Sequence, residues 1–186
     1  MDKSKNVWQN IKKGLVWFLK SYIWIVPLCI IVDQVSKICL ESFLKSNGGA
    51  FNDWFLKGFI SLELRYNTGA AWSFLEDHPI ILAIISVVAS IGIIAYIAYN
   101  YKKLALTYRI AGFLVLGGCM GNMIDRIVYY PHGVIDFLKF DFMTFPVFNG
   151  ADSMLVIGII IIIIKMLIDE HNEGKKKDEA KTTNNE

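Results

Sequence analysis

Val147-Phe-Asn-Gly-Ala-Asp-Ser-Met-Leu-Val-Ile-Gly-Ile-Ile-Ile-Ile-Ile-Ile-Lys-Met-Leu-Ile168 is the stretch from which the fold is read. Its polar residues, Asn149, Asp152 and Ser153, stand together at the start, and an almost pure isoleucine run follows. That run suits a helix of the roughly 20 residues needed to cross a bilayer core. Three more stretches, 22–40, 79–99 and 107–126, have the same character. The chain has 186 residues, 54% of them apolar, more than one soluble core of this size requires. The expected fold class is an all-α membrane protein with four transmembrane helices, forming a single domain over 1–170.

The first apolar run follows a short basic region, as in a secretory signal peptide. It is too long for one and lacks a small-x-small cleavage site, so it reads as a permanent span. Lys3, Lys5, Lys12, Lys13 and Lys20 precede it, and Lys102, Lys103 and Arg109 lie between the second and third spans with no acid among them. By the excess of Lys and Arg in cytoplasmic flanks, both termini are expected inside. Trp8, Trp17 and Phe18 interleaved with lysines suit an interfacial helix on the cytoplasmic leaflet. The tail at 171–186 is charged, lacks aromatics and is expected to be disordered.

The connections 41–78 and 125–148 then face outward, and both are longer than a turn between antiparallel helices needs. In the first, Ile60, Leu62, Leu64 and Tyr66 alternate with Ser61, Glu63, Arg65 and Asn67, the period of a strand with one apolar face. Trp54, Phe55, Phe59 and Trp72 flank it, and such rings favour the membrane–water boundary. A small extracytoplasmic β-sheet lying on the outer leaflet, over about 48–75, is therefore expected.

Composition excludes several functions. A net charge of +2 gives no footprint for nucleic acid. Cys29, Cys39 and Cys119 lie singly in apolar surroundings, and His78, His132 and His171 are scattered, so neither a disulfide framework nor a metal-ligand spacing is present. No metal or other cofactor is expected. There is no GxSxG elbow, and Ser36 and Lys37 are helical neighbours that do not face each other.

What remains are ionisable groups at membrane depth, each costing roughly 2.5–3.5 kcal/mol on insertion scales. With both termini inside, Asp33, Lys37, Asn122, Asp125, Arg126, Asp136, Asn149 and Asp152 all fall toward the outer leaflet. Each has a bland reading. Asp33 and Lys37 are spaced for an i,i+4 ion pair. Arg126 can satisfy the carbonyls of a helix end, with Gly117, Gly118 and Gly121 permitting close packing. Asn149 and Asp152 have N-cap to N3 spacing. Asp136 alone reads as an interfacial carboxylate on a short strand.

Taken together, Asp136 and Asp152 acquire another meaning. Two carboxyls close together in poorly solvated surroundings cannot both ionise, which supplies an acid and a base in one site. The ionised member can draw a proton from water attacking a peptide carbonyl, while its protonated partner polarises the carbonyl oxygen. Asp152, over the amino end of the last helix, is the expected base and Asp136 the expected acid.

Asp33-Gln-Val-Ser-Lys37, Asn67-Thr-Gly-Ala-Ala-Trp-Ser-Phe-Leu75, Gly117-Gly-Cys-Met-Gly-Asn-Met-Ile-Asp-Arg126, Gly133-Val-Ile-Asp-Phe137 and Phe145-Pro-Val-Phe-Asn-Gly-Ala-Asp-Ser153 occur in an order that resembles bacterial lipoprotein signal peptidase, also called signal peptidase II. The resemblance spans 22–168. It implies an aspartic endopeptidase of the bacterial cytoplasmic membrane that needs no cofactor and is sensitive to globomycin. Such an enzyme cuts prolipoprotein signal peptides just before a diacylglyceryl-modified cysteine. It places the catalytic pair on Asp136 and Asp152, and supporting roles on Asp33, Lys37, Asn67, Gly69, Asn122, Arg126, Asn149 and Ala151. Membrane lipids are expected neighbours and a monomer the expected state. The chain departs from the family pattern at Ser36, where Thr is common, at Trp72, where Phe is usual, and in a short loop at 139–144. The competing readings are a proton-coupled transporter, which needs ionisable residues along a whole crossing path, and a non-catalytic scaffold, in which the aspartates are dispensable.

Overall fold

The structure, a computed structural model, describes residues 3–52, 57–69, 75 and 78–183, the side chains of 3–6 and 177–183 excepted. In chain order the elements are α1 (Lys3–Ser21), α2 (Ile25–Ser46), β1 (Ala50–Phe51), β2 (Ile60–Asn67), α3 (Pro79–Asn100), α4 (Leu106–Val128), β3 (Val134–Phe140) and α5 (Gly150–Thr183). Trp54, Phe55 and Trp72, expected at the membrane boundary, lie outside the described residues.

Helices α3, α4 and α5 are each long and apolar enough to cross a membrane. Helix α2 qualifies only together with α1, as a pair bent by 71°. Asp33, Lys37 and Glu41 interrupt the apolar character of α2, so its polar side chains need partners inside the protein. The expected first span at 22–40 starts later, at Ile25, because Ser21–Trp24 forms the corner between α1 and α2. Tyr22 takes a positive φ of 61° there. The corner is pinned by the Ser21 hydroxyl, which donates to Phe18 O at 2.7 Å and accepts from Ile23 N–H at 3.3 Å. Trp24 Nε1 donates to Leu19 O at 3.2 Å.

Helix α4 is the centre of the bundle and packs against α2, α3 and α5. Close approach is possible because its contact positions lack side chains. A Cβ on Gly118 would lie 2.3 Å from Ala151 O, one on Gly117 2.5 Å from Cys29 Cβ, and one on Gly121 2.6 Å from Asp33 Oδ2. Large apolar side chains such as Ile84, Val88 and Ile91 on α3, or Ile160 and Ile164 on α5, are exposed, as a lipid-facing surface requires.

The three strands form an antiparallel sheet in the order β1-β2-β3. It is fastened to the end of α2 by a core of Leu44, Leu62 and Phe137. The expected alternation in β2 holds only in part. An irregularity between Leu62 and Arg65 shifts the register, Tyr66 is left exposed, and Arg65 pairs with Asp136 across the ladder. The tail expected to be disordered instead prolongs α5 to Thr183. Its Glu, Lys and Ala residues are good helix formers and continue a helix already nucleated in the span.

Candidate active site

The polar residues gather where α2, α4, β3 and the start of α5 meet. Lys37, 1% exposed, is the hub. Its ammonium lies 2.8 Å from Asp33 Oδ2 and 2.8 Å from Asp125 Oδ2, and it donates to Asn122 Oδ1 at 3.0 Å. An ammonium has three donors, and all three are used. The expected Asp33–Lys37 pair is therefore present, and it is one arm of a larger cluster. Asp33 Oδ1 also accepts the Ala151 N–H at 2.9 Å, which ties α2 to the first turn of α5.

Asn149 and Asp152 form a reciprocal cap. Asn149 Oδ1 accepts the Asp152 N–H at 3.0 Å, and Asp152 Oδ2 accepts the Asn149 N–H at 3.1 Å, satisfying two donors the helix start would leave open. Capping does not exhaust either residue. Asn149 is fully buried, and its Nδ2 donates to Asp136 Oδ1 at 2.6 Å and to Asn122 Oδ1 at 3.0 Å. Asp152 Oδ1 accepts from Asn122 Nδ2 at 2.7 Å. The second oxygen of Asp136 accepts from Asn67 Nδ2 at 2.9 Å. Gly69 N–H closes onto Asn67 Oδ1 at 3.0 Å, and Gly69 O accepts from Arg126 at 3.1 Å.

All ten residues singled out in the sequence thus belong to one connected hydrogen-bond network. Two members were not singled out as site residues. Gln34 Nε2 donates to Asp125 Oδ1 at 2.7 Å, and Asp125 Oδ2 accepts the Ile135 N–H at 3.1 Å, so Asp125 holds the strand that carries Asp136. Asp125 was readable only as part of a polar helix end, since its partners lie on other elements.

The donors that reach the two aspartates decide their chemistry. Among the described residues no Lys or Arg pairs with Asp136 or Asp152. Lys37 is engaged with Asp33 and Asp125, and Arg126 is turned to the carbonyls of Asn122 and Gly69. The side chains that bind the pair are three neutral amides, Asn67, Asn122 and Asn149. A paired cation would force a carboxyl to ionise, whereas an amide orients it without doing so. Burial, and next the charge of Asp152, push the Asp136 carboxyl up to about 7. No group of His, Cys, Asp and Glu suited to a metal ion occurs among the described residues.

The chain between the two aspartates is clasped by the backbone. Phe148, immediately before Asn149, bridges to Leu138 on β3, with mutual N–H to O bonds of 2.8 and 2.9 Å. The stretch expected as a short loop at 139–144 begins inside β3, which runs to Phe140, and contributes to an aromatic cluster. In it Phe59 stacks on Phe142 at 4.5 Å between centroids, and Phe140 touches Phe145 and Phe148.

A family model described as Signal peptidase (SPase) II matches residues 25–168, a stretch that contains every residue of this network. The chain belongs to the signal peptidase II family. Curated relatives called lipoprotein signal peptidase include one from Enterococcus faecalis, 47% identical over 65% of this chain and 74% of the relative. Another, from Lactiplantibacillus plantarum, is 35% identical over 82% of this chain and 97% of the relative. A solved structure described as a bacterial membrane enzyme superposes with a TM-score of 0.68 at 32% identity, covering 83% of this chain and 92% of the other. Membership in the signal peptidase II family makes this a protease, and its apolar helices make it a multi-pass membrane protein.

Proposed function

We propose that the protein is an aspartic endopeptidase that removes the signal peptide from prolipoproteins carrying a diacylglyceryl cysteine. Asp136 and Asp152 are its acid–base pair. The observation that carries this reading is that a buried carboxyl, Asp136, and a half-buried one, Asp152, are held by amide N–H donors and both bond to Asn149. It favours one of the two carrying a proton near neutral pH. Asp152, over the amino end of α5, is the ionised member and draws a proton from water as the water oxygen bonds to the scissile carbonyl carbon. Asp136 donates its proton toward the carbonyl oxygen, and a proton is passed to the departing amine as the C–N bond breaks. No covalent intermediate forms.

A lipidated substrate already resides in the membrane, so the site has only to receive it laterally and present the bond at a depth where water is available. The cationic corner and turn at the opposite end of the bundle support a cytoplasmic placement of both termini, which puts the site toward the outer leaflet. One chain supplies every member of the network, which supports action as a monomer. A transporter path is disfavoured because α3 contains no Asp, Glu, Lys or Arg.

The test is conversion of a diacylglyceryl-modified prolipoprotein by the purified chain, beside Asp136→Asn and Asp152→Asn, with and without a chelator. Each substitution is expected to lower the rate by about a thousand-fold, within the range assigned to positioned acid–base groups, and the chelator to change nothing. Cleavage that survives either substitution would sink the dyad.

A further inference from the structure

Helix α1 lies outside the stretch that matches the family model, which begins at residue 25. Its side chains are exposed along nearly its whole described length. At 3.6 residues per turn, Val7, Trp8, Ile11, Leu15 and Leu19 share one face, and each is more than half exposed. Gln9, Lys13 and Lys20 take the other face together with the exposed Val16 and Trp17, with Lys12 at the border. A lone helix of this length is marginal in water, so the apolar face calls for a surface to lie on.

Its direction is fixed. The corner at Ser21–Trp24 is hydrogen-bonded internally, and Tyr101 OH donates to Ser21 O at 3.3 Å, which binds the α1–α2 corner to the turn between α3 and α4. With α2 upright in a bilayer, the 71° bend leaves α1 about 20° from the membrane plane. On α2, beyond the bend, Leu28, Ile31 and Val32 are exposed as well.

The charges on α1 and on the α3–α4 turn share one sign, while on α5 the acids Asp169, Glu170 and Glu173 lie among lysines. From Lys3 to Val32 the chain has no acid, and neither has 101–109. Lys102 and Lys103 are exposed, and Arg109 is held 4.6 Å over the Tyr101 ring. Among the described residues no carboxylate pairs with Lys12, Lys13, Lys20, Lys102, Lys103 or Arg109. Asp169, an acid at the same end on α5, is paired with Lys165.

We propose that α1 and the α3–α4 turn form a docking collar for anionic phospholipid. The apolar face of α1 sinks to the upper acyl chains, and these six cations collect phosphate headgroups of the same leaflet. The collar is a lipid-recognition surface independent of the peptidase site.

The test uses the full chain in nanodiscs of phosphatidylcholine with about one-third phosphatidylglycerol, a composition chosen to give an anionic surface. Bromines are placed near the headgroup end of the acyl chains of one lipid or the other. Trp8 emission is taken as the difference between wild type and Trp8→Phe. Trp8 should be quenched, and more strongly when the brominated lipid is phosphatidylglycerol. In Lys12→Gln, Lys13→Gln, Lys20→Gln that preference should fall, by up to about five-fold per lysine, while quenching itself persists and thermal unfolding in detergent is unchanged. Equal quenching by both lipids in wild type would overturn the headgroup selection. Absence of quenching, with or without cross-linking to a second copy, would overturn the collar altogether.

Discussion

Asn149 donates its side-chain amide to Asp136 Oδ1 at 2.6 Å. Through its own Oδ1 the same residue accepts the Asp152 N–H at 3.0 Å, so one buried side chain both starts α5 and orients the Asp136 carboxyl. These duties can be separated. Asn149→Ser keeps an N-cap acceptor and loses the donor to Asp136, whereas Asn149→Ala loses both. Thermal unfolding should place Asn149→Ala about 1 kcal/mol below Asn149→Ser. Prolipoprotein cleavage should fall about a hundred-fold in both, as expected when an acid–base group loses its alignment.

Asp136, pushed up to about 7 by burial and by the charge of Asp152, should keep its protonated-carboxyl infrared band to about pH 7. The band should be missing in Asp136→Asn. In Asp152→Asn its midpoint should move down, because a cause of the upward shift has been removed. Since the folded value is raised, the contribution of Asp136 to stability is full below its unfolded value of about 4 and is lost as pH rises toward 7. Unfolding measured across that window should show a decline that Asp136→Asn flattens.

Lys37→Met leaves Asp33 and Asp125 buried without their cation. A loss of about 3–5 kcal/mol is expected in chemical or thermal unfolding. Adding Asp33→Asn and Asp125→Asn should recover most of it, since each amide oxygen still accepts the Ala151 or Ile135 N–H. Failure to recover would mean that the charges themselves hold the three elements together.

Gly118→Ala drives a methyl group to 2.3 Å from Ala151 O, a backbone atom that cannot turn aside. The helices must part, at a cost of about 1–3 kcal/mol, and Asp152 moves with α5. Gly92→Ala, where nothing lies within 4 Å, serves as the neutral comparison.

Much of this architecture is visible in the residue order because apolar runs of membrane length are long and unambiguous, and because the cap spacing of Asn149 and Asp152 is local. Strand β3 is harder to read. Val134, Ile135, Asp136 and Phe137 are all buried, so the alternation that marks a one-faced strand is absent. The β2 alternation was legible, but its irregularity after Leu62 was not, since it arises from pairing with a strand about seventy residues away. The roles of Gln34 and Asp125 were hidden for a related reason: each is defined by a partner on another element. The boundary near residue 21 was legible from Lys20 and Ser21, but the positive φ of Tyr22 was not, because nothing in its residue type calls for it.

The Phe148–Leu138 bridge closes the loop between the two aspartates at its base. Chain length beyond that clasp is mechanically uncoupled from the spacing of the carboxyls. Descendants of this scaffold are therefore free to lengthen, shorten or exchange residues 141–147, while the cluster around Asp136 and Asp152 is inherited unchanged.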